Sequence, residues 1–122
     1  MQKTNFENLD IYKLSEKLSD EIWSIAFNWD HFSRETIGKQ MVRSTDSIGA
    51  NIAEGSGRGT DADYLRFLKI SRGSLYETRH WLRRAFKRDL LSEVQVSDLT
   101  GILNELTPKL NAYIRVIKDK RR

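Results

Sequence analysis

Apolar residues recur at intervals of three and four along four stretches of the chain, with polar residues between them. This period places the apolar side chains of each stretch on one side of an α-helix. The pattern predicts four helices, at residues 10–28, 34–55, 61–89 and 93–119. Their connections are short, and the chain contains one proline in 122 residues. We therefore expect an all-α protein, an antiparallel up-down-up-down four-helix bundle that forms a single domain over residues 1–122.

Several residues at the predicted helix ends are typical of helix caps. Asp10, Ser33 and Thr60 stand where the first three helices begin, and each side chain can accept a hydrogen bond from a free first-turn amide. Gly55 stands at the end of the second helix, where a glycine accepts the left-handed conformation that closes many helices. Pro108 lies inside the fourth pattern and predicts either a kink or a restart of that helix.

Three glycines occur within five residues between the second and third helices, at Gly55, Gly57 and Gly59. A phosphate-binding loop needs the pattern GxxxxGK[ST] after a buried strand, and this segment has neither feature. An anion bound at the first turn of the third helix is an alternative. The sequence favours a simple turn that reverses the chain between two antiparallel helices.

Charge is distributed unevenly along the chain, whose net charge is +4. Residues 1–30 carry 3 basic and 6 acidic side chains, whereas residues 64–90 carry 8 basic and 2 acidic ones. At about 100° per residue, the basic side chains of the third helix fall opposite its apolar stripe. They are Arg66, Lys69, Arg72, Arg79, Arg83, Arg84, Lys87 and Arg88.

Two interpretations of this basic face stay open. It can follow a phosphate backbone, because each neutralised phosphate releases counterions. It can also be a solvated surface, or meet the acidic first helix of a neighbouring subunit. The scarcity of acidic residues at helical spacing favours nucleic-acid binding over a self-paired surface.

A second apolar flank lies beside the core stripe on the first and third helices. A monomeric bundle does not need such a flank, and an exposed tryptophan is a typical anchor at a protein interface. The alternative is a wide core stripe on a long helix. The candidate interface residues are Tyr12, Trp23, Phe27, Ile70 and Trp81.

A line of polar residues accompanies the core stripe on the second and third helices. Two of its members are glutamates that could form a general acid–base pair. We instead expect the line to set the register of the helices, which argues against an enzyme. Its members are Arg43, Ser47, Asn51, Glu54, Ser74 and Glu77.

Metal and thiol chemistry find little support in the sequence. The chain has no cysteine, which excludes disulfides, thiolate metal sites and thiol nucleophiles. Glu77 and His80 have the Glu-x-x-His spacing of di-iron bundles, but the other histidine, His31, lies in a predicted linker. We expect no metal and no cofactor.

The chain has no apolar run near the roughly 20 residues of a membrane span, and its first residues lack the apolar stretch of a signal peptide. We expect a cytoplasmic protein without a membrane partner.

The segments SIGANIAEG and GSLYE, within residues 47–77, resemble a family of bacterial four-helix bundle proteins. That family is encoded in intervening sequences of 23S ribosomal RNA genes. Arg43, Arg58 and the segments QMVR and FENL also fit its pattern. The resemblance implies an antiparallel bundle that assembles as a homopentamer around a central channel. The family has no settled activity, and its genetic location implies binding to nucleic acid.

The resemblance extends to the accessory variability determinants of diversity-generating retroelements. Those proteins are similar basic pentamers that work with a reverse transcriptase and its RNA. Two hypotheses result for this chain. One is a non-enzymatic oligomer that binds RNA through the third helix and the basic tail at residues 118–122. The other is a scaffold whose basic face docks a protein partner such as a reverse transcriptase.

Overall fold

The computed structural model describes residues 5–120, which form four long helices after a short 3-10 turn at Asn5–Asn8. We name the helices α1 (Asp10–Phe27), α2 (residues 31–56), α3 (Asp61–Lys87) and α4 (Glu93–Asp119). Each helix packs against its neighbours in sequence, and α4 also packs against α1. The predicted all-α four-helix bundle is confirmed.

Hydrogen bonds across the α2–α3 seam show that these two helices are antiparallel. The Ser71 hydroxyl donates to the carbonyl oxygen of Ile48 at 2.8 Å. Seven residues later on α3, the Thr78 hydroxyl donates to the Ser44 hydroxyl at 3.0 Å. Positions therefore rise along α3 as they fall along α2, as the up-down arrangement requires.

The core lies between the four helices and consists of the predicted apolar stripes. Its most enclosed side chains are less than 2 % exposed and come from every helix. Burying an aliphatic side chain of this size stabilises a fold by about 1.5–3 kcal/mol relative to leaving it in water. The set comprises Leu18, Ile22, Met41, Ile48, Ile52, Leu68, Leu75, Leu99, Leu106 and Leu110.

Two predicted helix caps are wrong. Asp10 is the first helical residue of α1, and Leu9 holds the capping position without a side-chain hydrogen bond. The helix predicted to begin at residue 34 begins at His31, because the Asp30 carboxylate accepts the Ser33 amide at 3.2 Å. Hydrogen bonds from Ser33 lower the pKa of Asp30. A carboxylate three residues before a free amide takes the capping role, which leaves Ser33 inside the helix.

The helix α2 is continuous although its first turns are not uniform. An α-helical turn at His31–Ser33 leads into a π-helical stretch at Arg34–Gly38 and then into α-helix at Lys39–Ser56. The backbone angles at both junctions are helical, so the chain does not break.

The end of α2 differs from the sequence prediction. Gly55 does not close the helix in a left-handed conformation, because the helix runs to Ser56 and the left-handed residue is Gly59, with φ of 90°. Gly55 instead lies against α3, where an added Cβ would meet the Cβ of Phe67 at 2.8 Å. Only a glycine permits this close approach of the two helices. The segment is a turn between antiparallel helices, as predicted.

The remaining two helix starts carry side-chain caps. Thr60 accepts the amide of Asp63 at 3.2 Å, which confirms its predicted role. Ser92 and Gln95 form a reciprocal capping box at the start of α4. The helix α4 then continues through Pro108 to Asp119, so the restart considered at this proline is wrong.

Among residues 5–120, no helix combines the length and apolar character that crossing a bilayer requires. The last two residues of the basic tail predicted to bind RNA, 121 and 122, lie outside the described part of the chain.

Candidate nucleic-acid interface

Seven of the eight predicted cations lie in α3, on the side of the helix that faces away from the core, and Arg88 is the residue that follows the helix. Three of them, Arg72, Arg79 and Arg84, are half-buried. The other five are exposed: Arg66, Lys69, Arg83, Lys87 and Arg88. We call these eight residues the basic face of α3.

The basic face is largely unpaired with acidic groups. Arg66 forms an ion pair with Asp63 at 3.7 Å, and its guanidinium lies 4.5 Å from the centre of the Phe67 ring. The other seven cations form no ion pair with any residue between 5 and 120. Like charges at helical spacing repel one another. Binding of an external anion therefore relieves this repulsion and lowers the electrostatic free energy of the surface.

Arg79 is held in place by α4. Its Nη2 donates to the Thr107 hydroxyl at 2.9 Å and to the Leu103 carbonyl oxygen at 3.3 Å. The Thr107 hydroxyl donates to the same carbonyl at 2.8 Å. The Leu103 carbonyl therefore accepts one side-chain donor from its own helix and one from α3, which ties Arg79 to this turn of α4.

Arg72 makes a second link across the same seam. Its Nη1 donates to the Asn111 side-chain oxygen at 3.1 Å. Asn111 lies one turn beyond Thr107, while Arg72 lies two turns before Arg79, as expected for antiparallel helices. Two guanidinium groups are therefore held along the α3–α4 seam, and both retain further N–H donors.

A groove of about 330 Å³ opens between α3 and α4 beside Arg79. Its floor is formed by four leucines that are all buried: Leu82, Leu91, Leu99 and Leu103. Its rim carries Arg79, Arg83 and Phe86, and Phe86 is 45 % exposed. We call this the α3–α4 groove.

Tyr76 belongs to the same surface but was missed by the sequence analysis, which considered the cations of α3 alone. The side chain is 51 % exposed. It stands seven residues, or two helical turns, before Arg83, which places it on the basic face. An aromatic residue at that spacing is the signal that could have found it, since aromatic rings stack on unpaired bases.

The predicted interface residues of α1 differ in their exposure to solvent, and two of the three are exposed. Trp23 and Phe27 are 58 % and 62 % exposed and line a groove of about 390 Å³ between α1 and α2, with Val42. Tyr12 is half-buried and packs edge-on against Phe6, with the ring centres 5.0 Å apart. Phe32 is also exposed, and it lies in the first turn of α2, where the sequence predicted a linker.

The predicted interface residues of α3 lie in different surroundings. Ile70 is exposed. Trp81 is half-buried, and its indole Nε1 donates to the Glu77 carboxylate at 3.0 Å.

The polar line separates into small groups. Ser47 accepts hydrogen bonds from Ser74 at 3.0 Å and from Asn51 at 2.9 Å, and these three join α2 to α3. Glu54 pairs with Arg58 on its own helix at 3.3 Å. Two members remain: Glu77 accepts the Trp81 indole on its own helix, and Arg43 is exposed and lines the groove between α1 and α2.

The two glutamates of this line are too far apart to act on one reacting group. Glu54 precedes Gly55, which packs against Phe67, and Phe67 lies ten residues before Glu77 on α3. Ten helical residues span about 15 Å. Within residues 5–120, no three histidine, aspartate or glutamate side chains are placed to share a metal ion.

Comparisons with known proteins agree on the fold. A family model described as 23S rRNA-intervening sequence protein matches residues 7–112. Among solved structures, a protein of unknown function from the S23 ribosomal protein family of Bacteroides thetaiotaomicron VPI-5482 is similar, with a TM-score of 0.79 and 24 % identity. The alignment covers 86 % of this chain and 95 % of that one, and at this identity it speaks for the fold alone. A search of curated proteins gave no match.

Proposed function

Because the chain belongs to the 23S rRNA-intervening sequence protein family, we propose that it is a non-enzymatic RNA-binding protein that works as a homopentamer. RNA contacts the basic face of α3, and a separate apolar surface joins the subunits. The proposal assigns no chemistry to the glutamates of the polar line, which lie about 15 Å apart along the helices.

One observation carries the RNA proposal: seven of the eight cations on α3 have no acidic partner among residues 5–120. A surface that only keeps a protein soluble normally interleaves both signs, because opposite charges three or four residues apart stabilise a helix. A row of unpaired cations instead gains free energy when phosphates displace the counterions of the nucleic acid.

The oligomer proposal is supported by Trp23 and Phe27, two large apolar side chains that are more than half exposed. They line one groove together with Ala26 and Val42, so the apolar part of that groove comes from neighbouring side chains of α1 and α2. Aromatic side chains of this kind are typical anchors of protein interfaces. Ile70 and Trp81 on α3 are the candidate counterpart on the next subunit, since a closed ring needs two different complementary surfaces.

RNA binding is tested by titrating the protein with a structured RNA at several salt concentrations. In the test variant, Lys69, Arg83 and Lys87 are all replaced by glutamine. The slope of log affinity against log salt should shrink by about one per cation removed. Each of these side chains is exposed and forms no ion pair within residues 5–120, so the fold should not change.

The matched control replaces Lys13, Lys17 and Lys39 by glutamine, which removes the same charge from exposed positions on α1 and α2. It should leave most of the slope intact. Equal losses in the two triple variants would mean that net charge rather than the face of α3 attracts the RNA. No binding by the wild type at low salt would overturn the proposal.

The oligomer is tested by light scattering, which should give about five times the 14.3 kDa chain mass for the proposed pentamer. Replacing Trp23 and Phe27 by serine should lower that mass, whereas Val94→Ser, at an exposed position on α4, should not. A wild-type mass equal to one chain would overturn the oligomer and leave the RNA proposal standing.

A second candidate function is a scaffold that docks a protein partner, and Phe32, which is 75 % exposed in the first turn of α2, favours it. A monomer that binds no RNA would shift the assignment to this function.

A further inference from the structure

We propose that the α3–α4 groove seats one unpaired nucleobase, so that the protein selects single-stranded over duplex RNA. This inference rests on the proposed RNA binding and adds to it the form of RNA that is bound. Charge alone does not explain such selection, because a basic face does not by itself prefer single-stranded RNA to duplex RNA.

The groove has the size and lining of a small-ligand site. Its volume of about 330 Å³ is at the lower end of what ligand pockets offer, which suits a single base rather than a large molecule. Its floor consists of buried leucines, and Phe86 stands at its rim with 45 % of its surface exposed. A flat aromatic base can leave water there and place its face against the Phe86 ring.

Two arginines at the rim favour an occupant that carries negative charge. Arg79 uses Nη2 for its two bonds to α4, so its Nη1 and Nε have no partner among residues 5–120. Arg83 lies one turn further along α3, is exposed, and has no ion pair among the same residues. The apolar floor thus lies beside one guanidinium group that α4 holds and one that is exposed. This arrangement matches a ligand with a planar apolar part and an adjacent phosphate.

The surface next to the groove is also suited to binding a single RNA strand of several nucleotides rather than one free nucleotide. Tyr76 lies ten residues before Phe86, about 15 Å along the helix axis. Arg79 and Arg83 lie between these two exposed rings. Alternation of aromatic rings and cations along one face is how proteins commonly bind single strands without reading their sequence.

The groove is held open by contacts outside it. The Leu90 amide donates to the Ala85 carbonyl at 2.9 Å, and the Leu90 carbonyl accepts the Trp29 indole at 3.1 Å. These bonds fix the turn that carries Leu91 into the floor of the groove. A preformed site loses less conformational entropy when a ligand binds.

Duplex RNA cannot use this groove, because its bases are stacked and paired. Its higher charge density releases more counterions per phosphate, so a purely electrostatic surface favours the duplex. The two modes of binding therefore predict opposite preferences.

The experiment measures fluorescence anisotropy of a short RNA without self-complementarity, alone and annealed to its complement, at one salt concentration. Wild-type protein should bind the single strand about tenfold more tightly, the effect of seating one base. In Thr100→Trp, an indole at the rim fills the groove and leaves every cation in place. This variant should lose that preference and keep its affinity for the duplex.

The matched control is Val94→Trp, which adds the same side chain to an exposed position of α4 outside the groove lining. It should retain the preference of the wild type. Phe86→Leu is a second variant, which keeps the rim apolar but removes the ring, and it should lose part of the preference. Circular dichroism melts identify any variant that fails to fold.

Equal wild-type affinity for the two RNAs, or a preference that survives Thr100→Trp, would overturn the base seat and leave RNA binding intact. Absence of binding to both RNAs would overturn the proposed function itself.

Discussion

The indole nitrogen of Trp29 donates a hydrogen bond to the carbonyl oxygen of Leu90 at 3.1 Å. Trp29 follows α1 and Leu90 follows α3, so the bond joins two connections at the same end of the bundle. The same ring packs against Gly38 of α2, where an added Cβ would lie 3.3 Å from it. One side chain thus couples three helices and supports the turn beside the α3–α4 groove.

Trp29→Phe tests this coupling. The phenylalanine keeps an aromatic ring but cannot donate to Leu90, and losing one such hydrogen bond costs about 0.5–1.5 kcal/mol of unfolding free energy. Urea denaturation measures the loss. Tyr76→Phe is the control, because Tyr76 is exposed and its substitution should change stability little. Equal losses in the two variants would mean that the bond to Leu90 contributes nothing specific.

Two glycines inside helices should respond in opposite directions to alanine. At Gly55 the new Cβ would meet Phe67 at 2.8 Å and Tyr64 at 3.0 Å. Overpacking of this kind costs about 1–3 kcal/mol, which exceeds the roughly 1 kcal/mol gained in helix propensity. Gly73→Ala meets nothing within 4 Å and should raise stability by about 0.5–1 kcal/mol. Thermal melts of the two variants check the signs, and a stabilised Gly55→Ala would contradict the close packing of α2 on α3.

Substitution of Tyr76 distinguishes the contribution of base stacking to RNA affinity from the contribution of charge. Tyr76→Leu removes an exposed ring without changing charge, and it should weaken single-strand binding by about 1–3 kcal/mol. The salt dependence should stay as in the wild type, since no cation is lost. Tyr76→Phe is the control and should bind normally. A reduced salt slope in Tyr76→Leu would show that the substitution disturbs the cations instead.

Alkaline pH should weaken the fold through Tyr64. Its hydroxyl lies 3.0 Å from that of Tyr113, and burial, followed by the hydrogen bond and interaction with Tyr113, raises the pKa of Tyr64. An unfolded tyrosine loses its proton near pH 10, while the folded protein still holds it. The unfolded state then binds fewer protons, so the stabilisation present below pH about 10 is lost as pH rises towards the folded pKa.

Urea denaturation from pH about 9 to about 11 measures this effect. The unfolding free energy of Tyr64→Phe should fall less over that range than that of the wild type. Tyr76→Phe, at an exposed position, is the matched control. Parallel losses in Tyr64→Phe and the wild type would exclude Tyr64 as the source.

The local chemistry of helix ends shows where prediction from sequence fails. Ser33 and Asp30 are both of the residue types that cap helices, they lie three positions apart, and the predicted cap was Ser33. The structure uses Asp30, which adds the turn at His31–Ser33 to the helix. At Gly55, a residue type associated with helix ends lies inside the last turn because α3 approaches there. At Gly55 a neighbouring helix decides the outcome, whereas Asp30 and Ser33 are two capping residues that the local sequence does not distinguish.

The sequence by itself determined the four helices, their core stripes and the concentration of cations on α3. These follow from a periodic pattern of apolar and charged residues, and the burial of one stripe per helix leaves few other arrangements. Only the tertiary structure decided which cations are held by α4, and that Phe86 stands beside a leucine-lined groove among them. Those relationships join residues that are distant in sequence, so they depend on the register between α3 and α4. No periodicity within one helix encodes that register.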